Sequence, residues 1–273
     1  MHKRFFCAVC AFLRQMSHMK FPLFSLFLAA ILLCPIDAPA QKRRPVRSNK
    51  QTAVKAPEIG KTAVVIDETL SVLRAKPSLF AAPVQRMRRG RKVQILGVAA
   101  ADGVRFYRVS VPPANTGWVQ ADAVFGKFRA GDEERLAKFV QASEGFDRVE
   151  LAAAFFELYP TSSFRPSILL LFGDLIEETA VKLSRDAGNR LSRREMAATA
   201  APLHSYYLNF VSIDRYRKLG VVFLFNGATR TFHYDGASWK EIVEKYPNAA
   251  EAVEAQKRLD SLKIKMDRTA SAK

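Results

Sequence analysis

The hydrophobic period of the chain changes once, near residue 127, and that change limits what the chain can fold into. Before it, short apolar stretches recur between turn signals: Ala63-Val-Val-Ile66, Ser71-Val-Leu73, Val93-Gln-Ile-Leu96, Phe106-Tyr-Arg-Val109 and Gly117-Trp-Val119. Lys76-Pro77-Ser78, Arg89-Gly90, Asp102-Gly103 and Pro112-Pro113 punctuate them. Short strands with a turn about every ten residues predict a small all-β barrel. After it, apolar residues recur at three and four, as in Leu136, Phe139, Val140 and then Val149, Ala152, Ala153, Phe156. That is helical spacing. The two halves cannot share one secondary-structure class, so the chain is expected to be multi-domain.

The helical half has further local signals. Asp132 and Asp147 stand where N-caps belong. Tyr159-Pro160 ends a helix, because the residue before proline avoids helical backbone angles. Ile168-Leu-Leu-Leu-Phe172, continued by Leu175 and Ile176, predicts a buried helix, and Gly188-Asn189 predicts a break. Val221-Val-Phe-Leu-Phe225, Asn226-Gly-Ala-Thr229 and Arg230-Thr-Phe-His-Tyr234 read as a β-hairpin among helices. The aromatic run from Tyr206 to Trp239 is expected to fill the junction between them.

Order along the chain adds a resemblance. Leu70-Ser-Val-Leu-Arg-Ala-Lys-Pro-Ser78, Pro83-Val84, Met87-Arg-Arg-Gly90, Val93-Gln-Ile-Leu-Gly97, Phe106-Tyr-Arg-Val109 and Gly117-Trp-Val-Gln-Ala-Asp-Ala-Val124 follow one another as in bacterial SH3-like domains. The resemblance spans nearly all of 62–126. Phe106 stands where that family favours tryptophan, and Val111-Pro-Pro-Ala-Asn-Thr116 is an insertion. It implies an SH3-like β-barrel and a peptide or glycan groove, with Tyr107, Trp118 and Arg74 as candidate binding residues. Packing in a small core is the competing role for Tyr107 and Trp118.

Residues 153–163 and 238–250 both run a helix into Tyr-Pro and a polar turn. Glu251–Leu262 follows the second, with Ala252, Ala255 and Leu259 on one face. Small residues at such spacing let helices approach closely. These segments resemble the helix pairs of tetratricopeptide-like repeats. The two Tyr-Pro sites are 87 residues apart, which is no multiple of the usual repeat of about 34. A degenerate tetratricopeptide-like domain is therefore expected over 127–265.

The N-terminus reads as an export signal. Lys3, Arg4, Arg14 and Lys20 precede the thirteen-residue apolar run Phe21–Leu33, Pro35 breaks it, and Ala38-Pro-Ala40 precedes Gln41. The run is short for a bilayer of roughly 30 Å. Cleavage between Ala40 and Gln41 is expected; a retained anchor and lipid attachment at Cys34 are the competing readings. Cys7, Cys10 and Cys34 all fall in this segment, so the mature chain would have no thiol chemistry. The expected organisation is a signal peptide (1–40), a basic disordered linker (41–59), the barrel (60–126), the helical domain (127–265) and a disordered tail (266–273).

Charge is uneven. Residues 41–126 carry net +11 and residues 127–273 net +3. A basic front half suits anionic partners, and export argues against nucleic acid. Chemistry is not announced: there is no Gly-x-Ser-x-Gly elbow and no glycine-rich phosphate loop, and neither His204 nor His233 has a partner at metal-ligand spacing. Glu133-Glu134 and Glu177-Glu178 are expected to be solvated. No catalytic residue, metal site or cofactor is expected. The sequence points to an exported envelope binding or scaffold protein, whose partner is an envelope protein or a wall peptide. An accessory wall hydrolase, and a structural protein docked by its basic linker on an anionic membrane surface, are the two competing readings.

Overall fold

A computed structural model describes residues 56–267. The expected signal peptide, the Ala40–Gln41 cleavage point, the linker up to residue 55 and residues 268–273 lie outside them. Seven strands come first: β1 (Thr62–Val65), β2 (Val72–Arg74), β3 (Pro83–Arg86), β4 (Lys92–Ala101), β5 (Val104–Val111), β6 (Asn115–Gln120) and β7 (Val124–Phe125). They form one antiparallel sheet in the order β3-β2-β6-β5-β4-β1-β7. The expected closed barrel is not found. Among the described residues β3 pairs only with β2, the two-residue β7 pairs only with β1, and no ladder joins these edges. The sheet instead rolls around its own side chains, among them Ala63, Val65, Leu73, Ile95, Tyr107, Val109 and Val119.

The unbroken apolar run at 63–66 has a simple cause. Successive residues of a strand point to opposite faces. Ala63 and Val65 enter the core of the sheet, whereas Val64 and Ile66 join Phe125 in the core of the helices. Both faces of β1 are thus covered, and no alternate position can be polar. The change of period near residue 127 separates two kinds of element, yet Val64, Ile66 and Phe125 pack with the helices, and all described residues belong to one compact unit. Arg89 reinforces the joint, reaching Glu150 at 3.1 Å and Asp147 at 3.4 Å.

The rest is mainly helical: α1 (Asp132–Ala142), α2 (Gly145–Leu158), α3 (Arg165–Arg190), α4 (Arg193–Thr199), α5 (Leu203–Leu208) and α6 (Asp214–Arg217). The hairpin β8 (Phe223–Asn226) and β9 (Thr231–Tyr234) follows, then α7 (Ala237–Lys245) and α8 (Glu251–Asp267). Tyr159 and Tyr246 each cap a helix just before proline, as the sequence predicts. The hairpin is present, and Asn226 Oδ1 accepts from the N–H groups of Ala228 and Thr229 to shape its turn. The aromatic run is core: Tyr207, Phe210, Tyr216, Phe223, Phe232, Tyr234 and Trp239 are all buried.

Four local expectations are corrected. Asp132 is not an N-cap; Gly131, at φ +82°, takes that place. Asp132 is fully buried and accepts from Gly126 N–H (3.1 Å), Arg129 Nε (2.7 Å) and an Arg135 guanidinium nitrogen (3.1 Å), clamping β7 to α1. Asp147 lies inside the first turn of α2. Helix α3 runs through Gly188 and Asn189; a helical glycine costs about 1 kcal/mol, and the buried face of Ala180, Leu183 and Ala187 outweighs it. Residues 56–59 are part of the fold, with Glu58 buried and 2.6 Å from Arg105, and 266–267 are the end of α8.

One glycine sets the packing of the helices. A Cβ built on Gly173 of α3 would lie 2.3 Å from Trp239 Nε1 and 2.6 Å from Ser238 Oγ. Only hydrogen at this position lets α7 seat its indole against α3. Arg165 at the start of α3 meets Glu241 of α7 at 2.9 Å, fixing the same pair at a second point. Among the described residues no helix is long and apolar enough to cross a membrane.

Candidate functional site

Strand alternation decides which of the three expected binding residues a partner can touch. Tyr107 is fully buried, its ring in the core of the sheet and edge-on to Phe128 at 6.2 Å. Arg108, the next residue, must therefore point outward. Arg108 pairs directly with Trp118, and Trp118 pairs with Arg74 on β2. Directly opposed residues of a ladder share a face, with Cβ atoms about 5 Å apart. The structure thus brings Arg74 and Trp118 together on the outer face and places Tyr107 on the inner one. Tyr107 is corrected from ligand contact to core residue.

The outer row reads Arg74, Trp118, Arg108 across β2, β6 and β5. Trp118 is half-buried, Arg74 half-buried and Arg108 exposed. Gly117 is what lets β6 approach β2, since a Cβ there would stand 2.7 Å from Leu73 Cγ and 2.8 Å from the Arg74 carbonyl oxygen. Arg74 donates to the Ala81 carbonyl at 2.8 Å, holding the loop 75–82 beside this row. The other end of that loop is held by Asp102 in the β4–β5 turn, which accepts from Ser78 Oγ (2.7 Å) and Leu79 N–H (2.8 Å). Those two bonds lower the Asp102 carboxyl below its ordinary range. Phe80, at the tip of the loop, is 89% exposed. Phe106 also points outward by alternation, yet it is fully buried at the end of the face nearest the Asp102 anchor.

The Arg108 side chain makes no ion pair or hydrogen bond among the described residues. The row therefore offers a guanidinium free to take a carboxylate in a two-pronged bond and an indole for stacking. Arg108 and Phe80 escaped the sequence reading. The Phe-Tyr-Arg-Val alternation carried the signal for Arg108, but it needed the β5–β6 register to be read. Nothing in the sequence marks Phe80 as exposed.

A second cluster, in the helical half, joins residues far apart in sequence. Glu177 on α3 lies 3.0 Å from His233 Nδ1 on β9 and 2.7 Å from Lys265 Nζ on α8, and it accepts from Tyr234 N–H at 2.8 Å. Burial pushes its carboxyl up, but the bonds from His233, Lys265 and Tyr234, with the Lys265 charge, more than reverse this and hold it at about 2. The expectation that Glu177 is solvated is overturned, whereas its neighbour Glu178 is solvent-facing and paired with Lys182 at 2.7 Å. An ionised carboxylate only accepts, so Nδ1 of His233 carries a proton. Thr231 Oγ1 lies 3.0 Å from His233 Nε2. Hydroxyl, imidazole and carboxylate stand in the order used for nucleophilic catalysis. The adjoining cavity of about 230 Å³ is lined by Glu177 and Lys265 but by neither Thr231 nor His233. The cluster's clear work is to tie the hairpin to α3 and α8. His204 is exposed on α5, and no group of three or more metal-ligating side chains occurs among the described residues.

Comparisons with protein-family models, with curated proteins and with solved structures give no significant match.

Proposed function

We propose that this chain is an exported cell-envelope binding or scaffold protein whose outer sheet face holds an acidic or carboxylate-bearing segment, such as a wall peptide or a stretch of an envelope protein. The Arg74–Trp118–Arg108 row is the observation that carries this reading. An aromatic flanked by two guanidinium groups on a rigid ladder supports recognition, because ordering costs are met before binding. The series of short antiparallel strands over 62–125 supports the SH3-like reading. The α7–α8 pair, turning at Tyr246-Pro247, agrees with a tetratricopeptide-like helix pair and would serve a protein partner. The signal-like N-terminus, with cleavage between Ala40 and Gln41, would deliver both to the envelope, and the basic segment 41–55 would add contact with anionic surfaces.

Co-sedimentation with purified wall material, together with pull-down from an envelope fraction, tests the proposal. The expected result is capture that falls about tenfold or more in Trp118→Ala and Arg108→Gln, in line with loss of a central aromatic or arginine anchor. Absence of capture by both materials, or capture indifferent to both substitutions, would overturn it. The Thr231–His233–Glu177 order supports a second reading, an accessory wall hydrolase. That reading requires clearing in a zymogram that Thr231→Val and His233→Gln abolish.

A further inference from the structure

A cavity of about 360 Å³ lies where the sheet meets α2, formed by the starts of β1 and β4, the residues after β7 and the end of α2. Its floor is apolar. Val64 and Leu158 are buried there and Phe128 is half-buried. Around this floor stand three exposed lysines, Lys61, Lys92 and Lys127. Lys92 is opposite Val64 in the β1–β4 ladder, so its stem leaves from the face that the helices cover. It meets Glu157 of α2 at 2.5 Å. Lys61 and Lys127 make no ion pair among the described residues. The lining therefore carries three positive charges and one negative, a net of two positive.

Ammonium groups around an apolar concavity focus a positive potential into it, because the low-dielectric wall screens them poorly. A bare inorganic anion would satisfy the lysines and leave the floor wet. A neutral apolar molecule would cover the floor and leave the charges uncompensated. We propose that this cavity binds a small anionic amphiphile, in which one phosphate or carboxylate meets Lys61 and Lys127 and a short apolar body covers Val64, Phe128 and Leu158. The size matches the lower range of small-molecule sites. A phospholipid at a bilayer surface and a free amphiphile share this chemistry. The site is separate from the Trp118 face and does not depend on what binds there.

Titration calorimetry of the full-length chain with octyl phosphate below its micellar concentration tests this, with inorganic phosphate and octyl glucoside as the charge-only and tail-only probes. Saturable one-to-one binding of octyl phosphate is expected, at least about tenfold tighter than either control. The paired substitution Lys61→Gln with Lys127→Gln should weaken it about tenfold, and Trp118→Ala should leave it unchanged. Both lysines are exposed, so an unaltered melting curve is expected for the pair. Phosphate binding as tightly as octyl phosphate, or an affinity indifferent to the paired substitution, would overturn the proposal. Vesicles of phosphatidylglycerol in phosphatidylcholine separate the sources. Vesicle binding weakened by the paired substitution identifies a bilayer headgroup, and soluble binding without vesicle binding identifies a free amphiphile. Vesicle binding with no octyl phosphate binding would also overturn the proposal.

Discussion

Replacing Glu177 with glutamine should destabilise the fold at neutral pH and matter progressively less in acid. The carboxyl sits at about 2 in the folded chain, against an ordinary value of 4.5. That gap corresponds to about 3 kcal/mol of folding free energy. Glu177 itself is 14% exposed, but its Lys265 partner is 39% exposed. Solvent on that side screens part of the interaction and leaves about 2 kcal/mol. The sign follows from the direction of the shift. A carboxyl held low stabilises the folded state above its unfolded value, so the contribution is complete above pH 4.5 and is lost as the pH falls towards 2. Urea unfolding of the parent chain and of Glu177→Gln, followed by circular dichroism at pH 7, 5 and 3, measures this as a difference between the two proteins. Other carboxylates titrate equally in both and cancel. The expected difference is about 2 kcal/mol at pH 7 and pH 5, and less than half of that at pH 3. An equal difference at pH 7 and pH 3 would refute the ionised, triply bonded carboxylate.

Gly173→Ala should destabilise by about 2–4 kcal/mol in the same assay, because the methyl group would enter the space of the Trp239 indole and Ser238 Oγ. Tyr107→Phe should be neutral or stabilising by up to about 1 kcal/mol, since the buried Tyr107 hydroxyl has no hydrogen-bond partner among the described residues; a loss above about 1 kcal/mol on thermal melting would contradict this. Asp132→Ala should cost about 3 kcal/mol or more, as it leaves Arg129 and Gly126 N–H without their buried acceptor. Urea unfolding at pH 7 measures the loss, and a loss below about 1 kcal/mol would contradict the clamp.

What was legible in the sequence was local. Tyr159-Pro160 and Tyr246-Pro247 end helices because proline constrains the residue before it, and no tertiary contact is needed to know this. The hairpin was visible because Phe223–Asn226 and Thr231–Tyr234 flank an Asn-Gly turn. Patterns that depend on what covers a segment were not. The run Ala63–Ile66 looks like one strand of a barrel, and only the helices behind it explain why Val64 and Ile66 are also apolar. Gly188 reads as a break until the buried Ala180–Leu183–Ala187 face is seen to carry the helix past it. Asp132 reads as a cap until three donors are found around it.

The candidate sites divide in the same way. Trp118 and Arg74 could be picked by resemblance, and they are partners in the β2–β6 ladder. Tyr107 was picked on the same ground and faces the other way, because one residue of register reverses a side chain. Glu177, His233 and Lys265 are separated by 56 and 88 residues from Glu177 along the chain. Their convergence depends on how α3, the hairpin and α8 pack, and spacing rules for sites within one segment do not reach it.

The proposed recognition face is the outer face of the sheet around Trp118 and Arg108. A photo-crosslinking amino acid in place of either residue, irradiated in intact cells, probes that proposal. Val211, exposed between α5 and α6, serves as the comparison position. Adducts with a wall component or an envelope protein are expected from positions 118 and 108, well above those from position 211. Adducts with cytoplasmic proteins only, or yields no higher at 118 and 108 than at 211, would overturn the proposal.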